Sequence, residues 1–326
     1  MLNRRLLVNG LLAAYAADLR AQDDLAPAFT RPLRLLVPAG PGSVPDVRAR
    51  WLAERLAPLV KQPVLVENRP GAGGIPAMEQ AARAEPDGHT LVMTHVGLLV
   101  FNPLVYDRLG YDPLRDFRSI TRVGVGPLLL LVAPESALIS LADLVADAKA
   151  RPGAQNFASP GIGTPPHLAG ELLLHLARVR AAHIPYTSPT QPIADLMAGR
   201  VQWLFEGTPV ALPLVVSGRL RALAVTGPQR LRGLSAVPTV GEAGLPDLQV
   251  TGWNALAAPA ATPQATIDRL YRDIRAVLAS PEAEKWFGSV GNQPGGDSPE
   301  TLALLVRSET QRWAPVIQAA GVRLQR

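Results

Sequence analysis

Residues 33–60 read LRLLVPAGPGSVPDVRARWLAERLAPLV, and the fold follows from them. Leu33 to Val37 is a short apolar run without Gly or Pro, which predicts a buried strand. Pro38-Ala-Gly-Pro-Gly42 is a tight loop. After it Val47, Trp51, Leu52, Leu56 and Leu59 recur at helical spacing and predict one apolar stripe. Ser43 and Asp46 have the spacing of a capping box, with a Pro in the first turn. The unit is strand, Gly/Pro loop, helix. The N-terminus of such a helix has unpaired N–H groups and positive partial charge, a ready place for an anion. A plain β–α turn has the same signature, so this stretch alone leaves both readings open.

The pattern repeats downstream. Val64 to Glu67 predicts a strand, Asn68 to Gly74 a Gly-rich loop, Ile75 to Ala84 a helix and Thr90 to Thr94 a third strand. This β-α-β-α-β order predicts a parallel sheet covered by helices. Ligands of such sheets sit beyond the carboxyl ends of the strands, here the loops Ala39 to Ser43 and Thr94 to Gly97. Phe101 to Ile120 has no clean period and reads as loop and short turns. Leu128 to Ala133 is a strongly apolar strand, and from there the alternation restarts. Its loop Ser159-Pro-Gly-Ile-Gly-Thr164 mirrors the first loop, and Pro165 opens the helix behind it. Gly252 to Leu256 reads as a strand returning to the first unit. Helices from Ile267, Pro281 and Ser298 then pack on that unit. Two α/β lobes with Gly-rich loops at their strand ends predict a clamshell with a ligand between them. The expected division is 22–124 plus 251–326 for lobe one and 125–250 for lobe two.

The chain has 326 residues, 48% hydrophobic and 18% charged, which fits a globular protein. Its formal net charge is +5, carried mainly by scattered Arg, which gives no nucleic-acid stripe. There is no cysteine, so thiol chemistry and disulfides are excluded. Residues 1–21 read as an export signal: Arg4 and Arg5, the short apolar stretch Leu6 to Ala17, then Ala-x-Ala-like sites. The Arg pair also allows twin-arginine export. A periplasmic protein is expected.

A catalytic constellation is hard to build. No G-x-S-x-G elbow, H-E-x-x-H or phosphate-binding G-x-x-x-x-G-K-[ST] occurs, and neither the Gly40/Gly42 pair nor the Gly161/Gly163 pair extends to G-x-G-x-x-G, since positions 45 and 166 are Pro. Of the five histidines, only His167 and His175 share a helix at a ligand-like spacing. Without a carboxylate beside them they read as surface and core residues, so neither metal nor cofactor is expected. His95 and His167 lie where loops face the cleft, His167 with the plainer option of bonding back to the loop before it. Glu206 ends a strand and faces the cleft; capping or ordering its loop is preferred over direct ligand contact, and Asp46 is read likewise. No Arg or Lys falls inside the loops 39–43, 94–97 or 159–164. A carboxylate ligand would therefore be held by backbone N–H groups, hydroxyls and helix N-termini. Ser43, Thr94, Ser159, Thr164, Thr187 and Ser188 could supply the hydroxyls. The remaining candidate positions are Ala39, Gly40, Gly42, Val96, Gly161 and Gly163. Trp51 and Trp203 are expected in the core.

Several ordered segments resemble one family. They are Leu36-Val-Pro-Ala-Gly-Pro-Gly42 with Asp46, Val66-Glu-Asn-Arg-Pro-Gly-Ala-Gly-Gly74 and Pro86-Asp-Gly-His-Thr-Leu91. Further along come Tyr111-Asp-Pro with Asp116-Phe117, Gly161-Ile-Gly-Thr-Pro-Pro-His-Leu-Ala-Gly-Glu171 and His183-Ile-Pro-Tyr186. Asp195-Leu-Met-Ala-Gly-Arg-Val201, Val237-Pro-Thr-Val-Gly-Glu-Ala-Gly244 and Gly252-Trp253 to Pro263 complete the set. Together they resemble the Bug family, the substrate-binding proteins of tripartite tricarboxylate transporters. The resemblance implies a two-lobed type II periplasmic-binding-protein fold, a small organic acid in the cleft and delivery to membrane permease subunits by a monomer. It also implies that one carboxylate is held by main-chain groups and ordered water at the two Gly-rich loops. Ala39 stands where the family usually has a bulky residue, and Gly42-Ser-Val-Pro-Asp46 replaces Gly-Gly-x-x-Asp. Pro160, Pro165 and Pro166 replace small polar residues, and Glu206 stands where Asp is common. A ligand sensor for a signalling partner, or an enzyme using His95 or His167 as acid/base, are the alternative readings.

Overall fold

The computed structural model describes residues 28–320; the expected export signal lies outside them. Strand β1 (Leu33–Val37) runs into helix α1 (Val44–Val60) as the opening stretch predicts. Ser43 is the N-cap, its Oγ accepting from Asp46 N at 3.4 Å, and Lys61 ends the helix in the left-handed region. The buried face is set slightly round from the expected stripe: Val60 is buried, whereas Leu59 is 42% exposed. Leu59 falls one position too early to point inward on the last turn.

Strands β2 (Val64–Asn68) and β3 (Thr90–His95) flank β1 in parallel, with α2 (Ile75–Ala82) between them. Ahead of the expected loop and short turns of Phe101 to Ile120 the chain is already helical. Gly97–Phe101 forms a π-helical turn that leads into the short helix α3 (Asn102–Val105). Leu98, Leu99, Val100 and Phe101 are all buried. A helical turn buried on every side shows no amphipathic period, which is why the pattern missed it.

Strand β4 is longer than the apolar run Leu128 to Ala133 suggested, spanning Phe117–Val132. Its first part pairs antiparallel with β9 (Thr251–Pro259), and its last part with β7 (Trp203–Gly207) and β8 (Arg221–Val225). Two register shifts bend it, between Ser119 and Thr121 and between Arg122 and Gly124. Gly124, Gly126 and Pro127 read as strand breakers, but here they mark the crossing from one lobe's sheet into the other's.

The second lobe continues with α4 (Leu141–Ala150), β5 (Gln155–Ser159), α5 (Pro165–Ala177), β6 (Ala181–Pro185) and α6 (Gln191–Met197), before β7 and α7 (Thr208–Val216). β5 lies parallel between β6 and β7. The whole strand order is β2-β1-β3-β9-β4-β7-β5-β6. After β9 come α8 (Gln264–Leu278), α9 (Pro281–Ser289), β10 (Gln293–Pro294) and α10 (Pro299–Ala320), with β10 pairing on β4. This is a two-lobed α/β fold.

Three apolar clusters hold it together. One packs α1 and α8 on β1, with Trp51 stacked on Trp286 at 4.9 Å. A second packs α6 and α7 on the second lobe's sheet. The third runs through both lobes, joining Leu36, Met78 and Phe101 to Phe157, Leu168 and Trp203. α10 lies over this third cluster, with Trp313 edge-on to Phe101 at 5.0 Å. Among the described residues no helix is long and apolar enough to cross a membrane.

Candidate ligand-binding cleft

Between the lobes lies a cavity of about 330 Å³. The first lobe contributes Pro38 to Pro45 in part, Arg48, Pro70 to Gly74, His95 and Tyr106 to its wall. The second contributes Pro160 to Pro166 in part, Pro185 to Pro189 in part and the turn Glu206 to Val210 in part. The floor is made where the chain crosses between lobes, from Gly126, Pro127, Leu128, Gly252, Trp253, Asn254 and Asn292. The volume is at the small end for a ligand pocket, and the lining is mostly apolar with a few polar groups.

The lobes meet over this cavity. A Cβ on Gly73 would stand 2.7 Å from the carbonyl oxygen of Ile162, and one on Gly207 would stand 2.7 Å from the Val44 side chain. Only residues without a side chain allow backbones from two lobes to approach so closely. The structure is thus a closed form.

Of the candidate positions, Ala39, Gly40, Gly42, Ser43, His95, Gly161, Thr164, Thr187 and Glu206 line the cavity. Asp46, Thr94, Val96, Ser159, Gly163, His167 and Ser188 are not in its wall. Their roles are visible instead in the loops. Asp46 is 2% exposed and accepts from Gly42 N at 2.9 Å, from Asn68 Nδ2 at 2.9 Å and from Arg50 Nε at 3.1 Å. Burial pushes its carboxyl up, but the bonds from Arg50, Gly42 and Asn68 outweigh that and hold it below the usual range. Asp46 therefore fixes the first Gly loop, the role preferred from sequence.

The second Gly loop is tied just as closely. Ser159 Oγ accepts from Gly161 N at 3.2 Å, Thr164 Oγ1 donates to Gly161 O at 2.6 Å, and Gly163 N donates to His167 Nδ1 at 3.2 Å. The amides of Gly42, Gly161 and Gly163 are thus engaged inside their own loops. This corrects the expectation that they would be presented to a ligand: such tight turns satisfy their own polar groups first. His167 takes the plainer option, bonding back to the loop.

The expectation that no carboxylate stands beside His167 is corrected: Glu171, four residues on, has an Oε1 3.5 Å from His167 Nε2. One ligand atom each from His167, Glu171 and His183 lies within 4.8 Å of the others. Glu171 is one turn along α5, and His183 comes from β6; the expected partner His175 is not in this group. The two imidazoles stack with centroids 4.1 Å apart and planes 26° apart. Stacked rings send their in-plane lone pairs side by side rather than to one point, a poor geometry for a shared ion. Phe157 stacks on His183 at 4.8 Å and Trp203 on Phe157 at 4.6 Å, so the column props the second loop from below. Burial, then the neighbouring His167, lowers the His183 pKa to about 3.

The wall also draws polar residues from outside the candidate loops, Arg48, Trp253, Asn254 and Asn292 among them. Trp253 Nε1, His95 Nδ1 and Arg48 Nε are buried, have no hydrogen-bond partner and belong to residues of the cavity wall. Burial lowers the His95 pKa to about 4, so its ring is neutral. Glu206 is 6% exposed, and its Oε1 accepts from Gly207 N at 2.7 Å. Burial, partly offset by that bond, raises its pKa to about 7. Arg48 stands inside α1 and not in the loops 39–43, 94–97 or 159–164, where the lack of Arg and Lys shapes the sequence expectation. The signal was there: Arg48, Leu52 and Leu56 follow at four-residue steps on the buried face of α1.

A two-lobed fold closed over a small, largely apolar cavity with buried unpaired N–H groups defines a solute-binding protein. The profile of the tripartite tricarboxylate transporter family receptors matches residues 48–322, and the chain belongs to that family. It is 35% identical over 328 residues to Protein BugT of Bordetella pertussis, covering 99% of each chain. Its fold matches a structure described as R. palustris Rpa4515 with adipate at a TM-score of 0.87, with 33% identity over 90% of this chain and 98% of that one. The periplasmic binding protein BugD matches at a TM-score of 0.86, with 30% identity over 91% of this chain and all of the other, 100%.

Proposed function

We propose that this protein is an exported, monomeric periplasmic receptor that captures a small organic carboxylate and delivers it to the permease subunits of a tripartite tricarboxylate transporter. The observation that carries the reading is the set of buried, unpaired nitrogens around one closed cavity. A buried donor without an acceptor is costly, and native structures keep few of them. An anionic ligand with ordered water would satisfy Trp253 Nε1–H and Arg48 Nε–H together. The adipate in the R. palustris relative supports the same ligand class. Ala39, Gly40, Ser43, His95, Thr164, Thr187 and Glu206 would shape the pocket. Lobe one would comprise residues 22–124 with 251–326 and lobe two 125–250, closing about β4 and the connection into β9.

The enzyme reading has less to stand on. His167 is withdrawn from the cavity, and His95 has no hydrogen-bonded nucleophile or carboxylate among the described residues. A thermal-shift panel on refolded protein tests the proposal. At about a hundred times its Kd, a ligand adds about 2.7 kcal/mol of stability. Dicarboxylates are expected to raise Tm. Shifts from sugars, nucleosides or cations alone would overturn the assignment.

A further inference from the structure

Arg48 is 2% exposed, yet everything it donates to is neutral. Its Nη1 donates to Gly124 O at 3.1 Å and to Asn254 Oδ1 at 2.6 Å, and its Nη2 donates to Asn292 Oδ1. Nε–H has no acceptor. Among the described residues no carboxylate lies within ion-pair distance of it. Burial lowers its pKa to about 9, with no anion raising it again, so the guanidinium is charged at neutral pH. A buried cation in this state is unfavourable unless an anion joins it.

The acid nearest in role does not fill that need. Glu206 is the one carboxyl residue in the cavity wall, and no cation acts on it either. Each therefore belongs to the wall of the same cavity without a charge partner among the described residues. Arg48 is also the one Arg or Lys in that wall.

The position of Arg48 adds a second consequence. Gly124 belongs to β4 and Asn254 to β9, the two strands at the crossing between lobes. Asn292 follows α9, and its Nδ2 donates in turn to Thr208 Oγ1, the first residue of α7 in the second lobe. One chain of bonds thus runs from the first lobe through Arg48 and Asn292 to the second lobe.

We propose that Arg48 sets the charge of the ligand: a second anionic group turns to the cavity floor, neutralises Arg48 and thereby favours the closed, Asn292-bridged arrangement of the lobes. This rests on the receptor reading above. The first anionic group is left to Trp253 Nε1–H, the Thr187 hydroxyl and ordered water. A neutral far end leaves Arg48 buried without a counter-charge in the closed complex, so such ligands bind more weakly. A charge at the floor also explains an Arg in a helix ridge where Leu52 and Leu56 occupy the next two turns.

The test uses matched pairs of probes, succinate with its monomethyl ester and adipate with its monomethyl ester. Titration calorimetry measures each on refolded wild type, Arg48→Met, Arg48→Gln and Arg48→Lys. Wild type is expected to prefer a dianion over its ester by roughly tenfold or more. Arg48→Met and Arg48→Gln are expected to bring that ratio near one, and Arg48→Lys to restore part of it. Arg48→Gln keeps hydrogen-bonding groups without the charge, so it reads the charge even if Arg48→Met folds poorly. A preference unchanged in the neutral variants, or absent in wild type that binds both probes, overturns the inference alone. If wild type binds no acid of either kind, the receptor reading fails and the inference falls with it.

Discussion

Replacing Glu206 by Gln is expected to raise stability by about 3 kcal/mol at pH 8 and to leave it unchanged near pH 4.5. In the folded protein burial raises this carboxyl to about 7 from an ordinary value of 4.5. As pH rises between those values, the unfolded chain has already released its proton while the folded chain keeps it. The unfolded state then binds fewer protons, so stability falls through the window and levels off above it. Gln still offers an oxygen to Gly207 N–H but cannot ionise. The expected gain in Tm at pH 8 is roughly 6 °C. His95 and His183 work in the opposite direction. Their pKa values are lowered to about 4 and about 3, so their contribution is lost as pH falls below 6.5. The difference between Glu206→Gln and wild type, taken at each pH, removes that background. Thermal melts from pH 4.5 to 8 check it; a difference independent of pH would contradict a buried, titrating Glu206.

Gly73→Ala is expected to weaken ligand binding roughly tenfold or more, beyond its effect on stability. Gly73 has φ 62°, so any side chain there costs about 1 kcal/mol in backbone strain. The larger consequence is across the cleft, because the new Cβ would meet the Ile162 carbonyl at 2.7 Å in the closed form. Neither loop is free to give way at no cost: Gly74 N donates to Gly71 O at 2.8 Å across Gly73, and Ser159, Thr164 and His167 tie the loop of Ile162. Gly218→Ala provides the control. Its φ is 71° and nothing lies within 4 Å of its Cβ position, so it has the strain without the collision. Calorimetric titration with a dicarboxylate separates the two. Equal affinities for both variants would show that the lobes do not need to approach as closely as they do here.

The strand–loop–helix units were legible because local rules agreed. Leu33 to Val37 is an apolar run, Ser43 caps the helix behind it, and the same grammar recurs at Ser159 to Pro165. Asp46 was legible for a similar reason, since its partner Gly42 is four residues away. What escaped the sequence was assembled over distance. The first half of β4 looks broken by Gly124, Gly126 and Pro127 until β9 pairs with it. The turn Gly97–Phe101 is apolar throughout, so no face of it stands out. His183 joins His167 and Glu171 only because β6 lies beside β5. Arg48 was hidden for the opposite reason. Its helix was read by its apolar stripe, and a cation inside that stripe has meaning only once Asn254 and Asn292 arrive from residues more than two hundred positions away.

The central claim is that a small organic acid occupies the cavity between the lobes. Calorimetric titration of refolded protein with a dicarboxylate such as adipate tests it directly, run beside Val210→Trp. Val210 is half-buried in the cavity wall, and an indole there would fill space the ligand needs. The expected result is saturable one-to-one binding in wild type that disappears in a folded Val210→Trp. Binding that survives the indole unchanged would place the acid elsewhere on the protein and contradict the account.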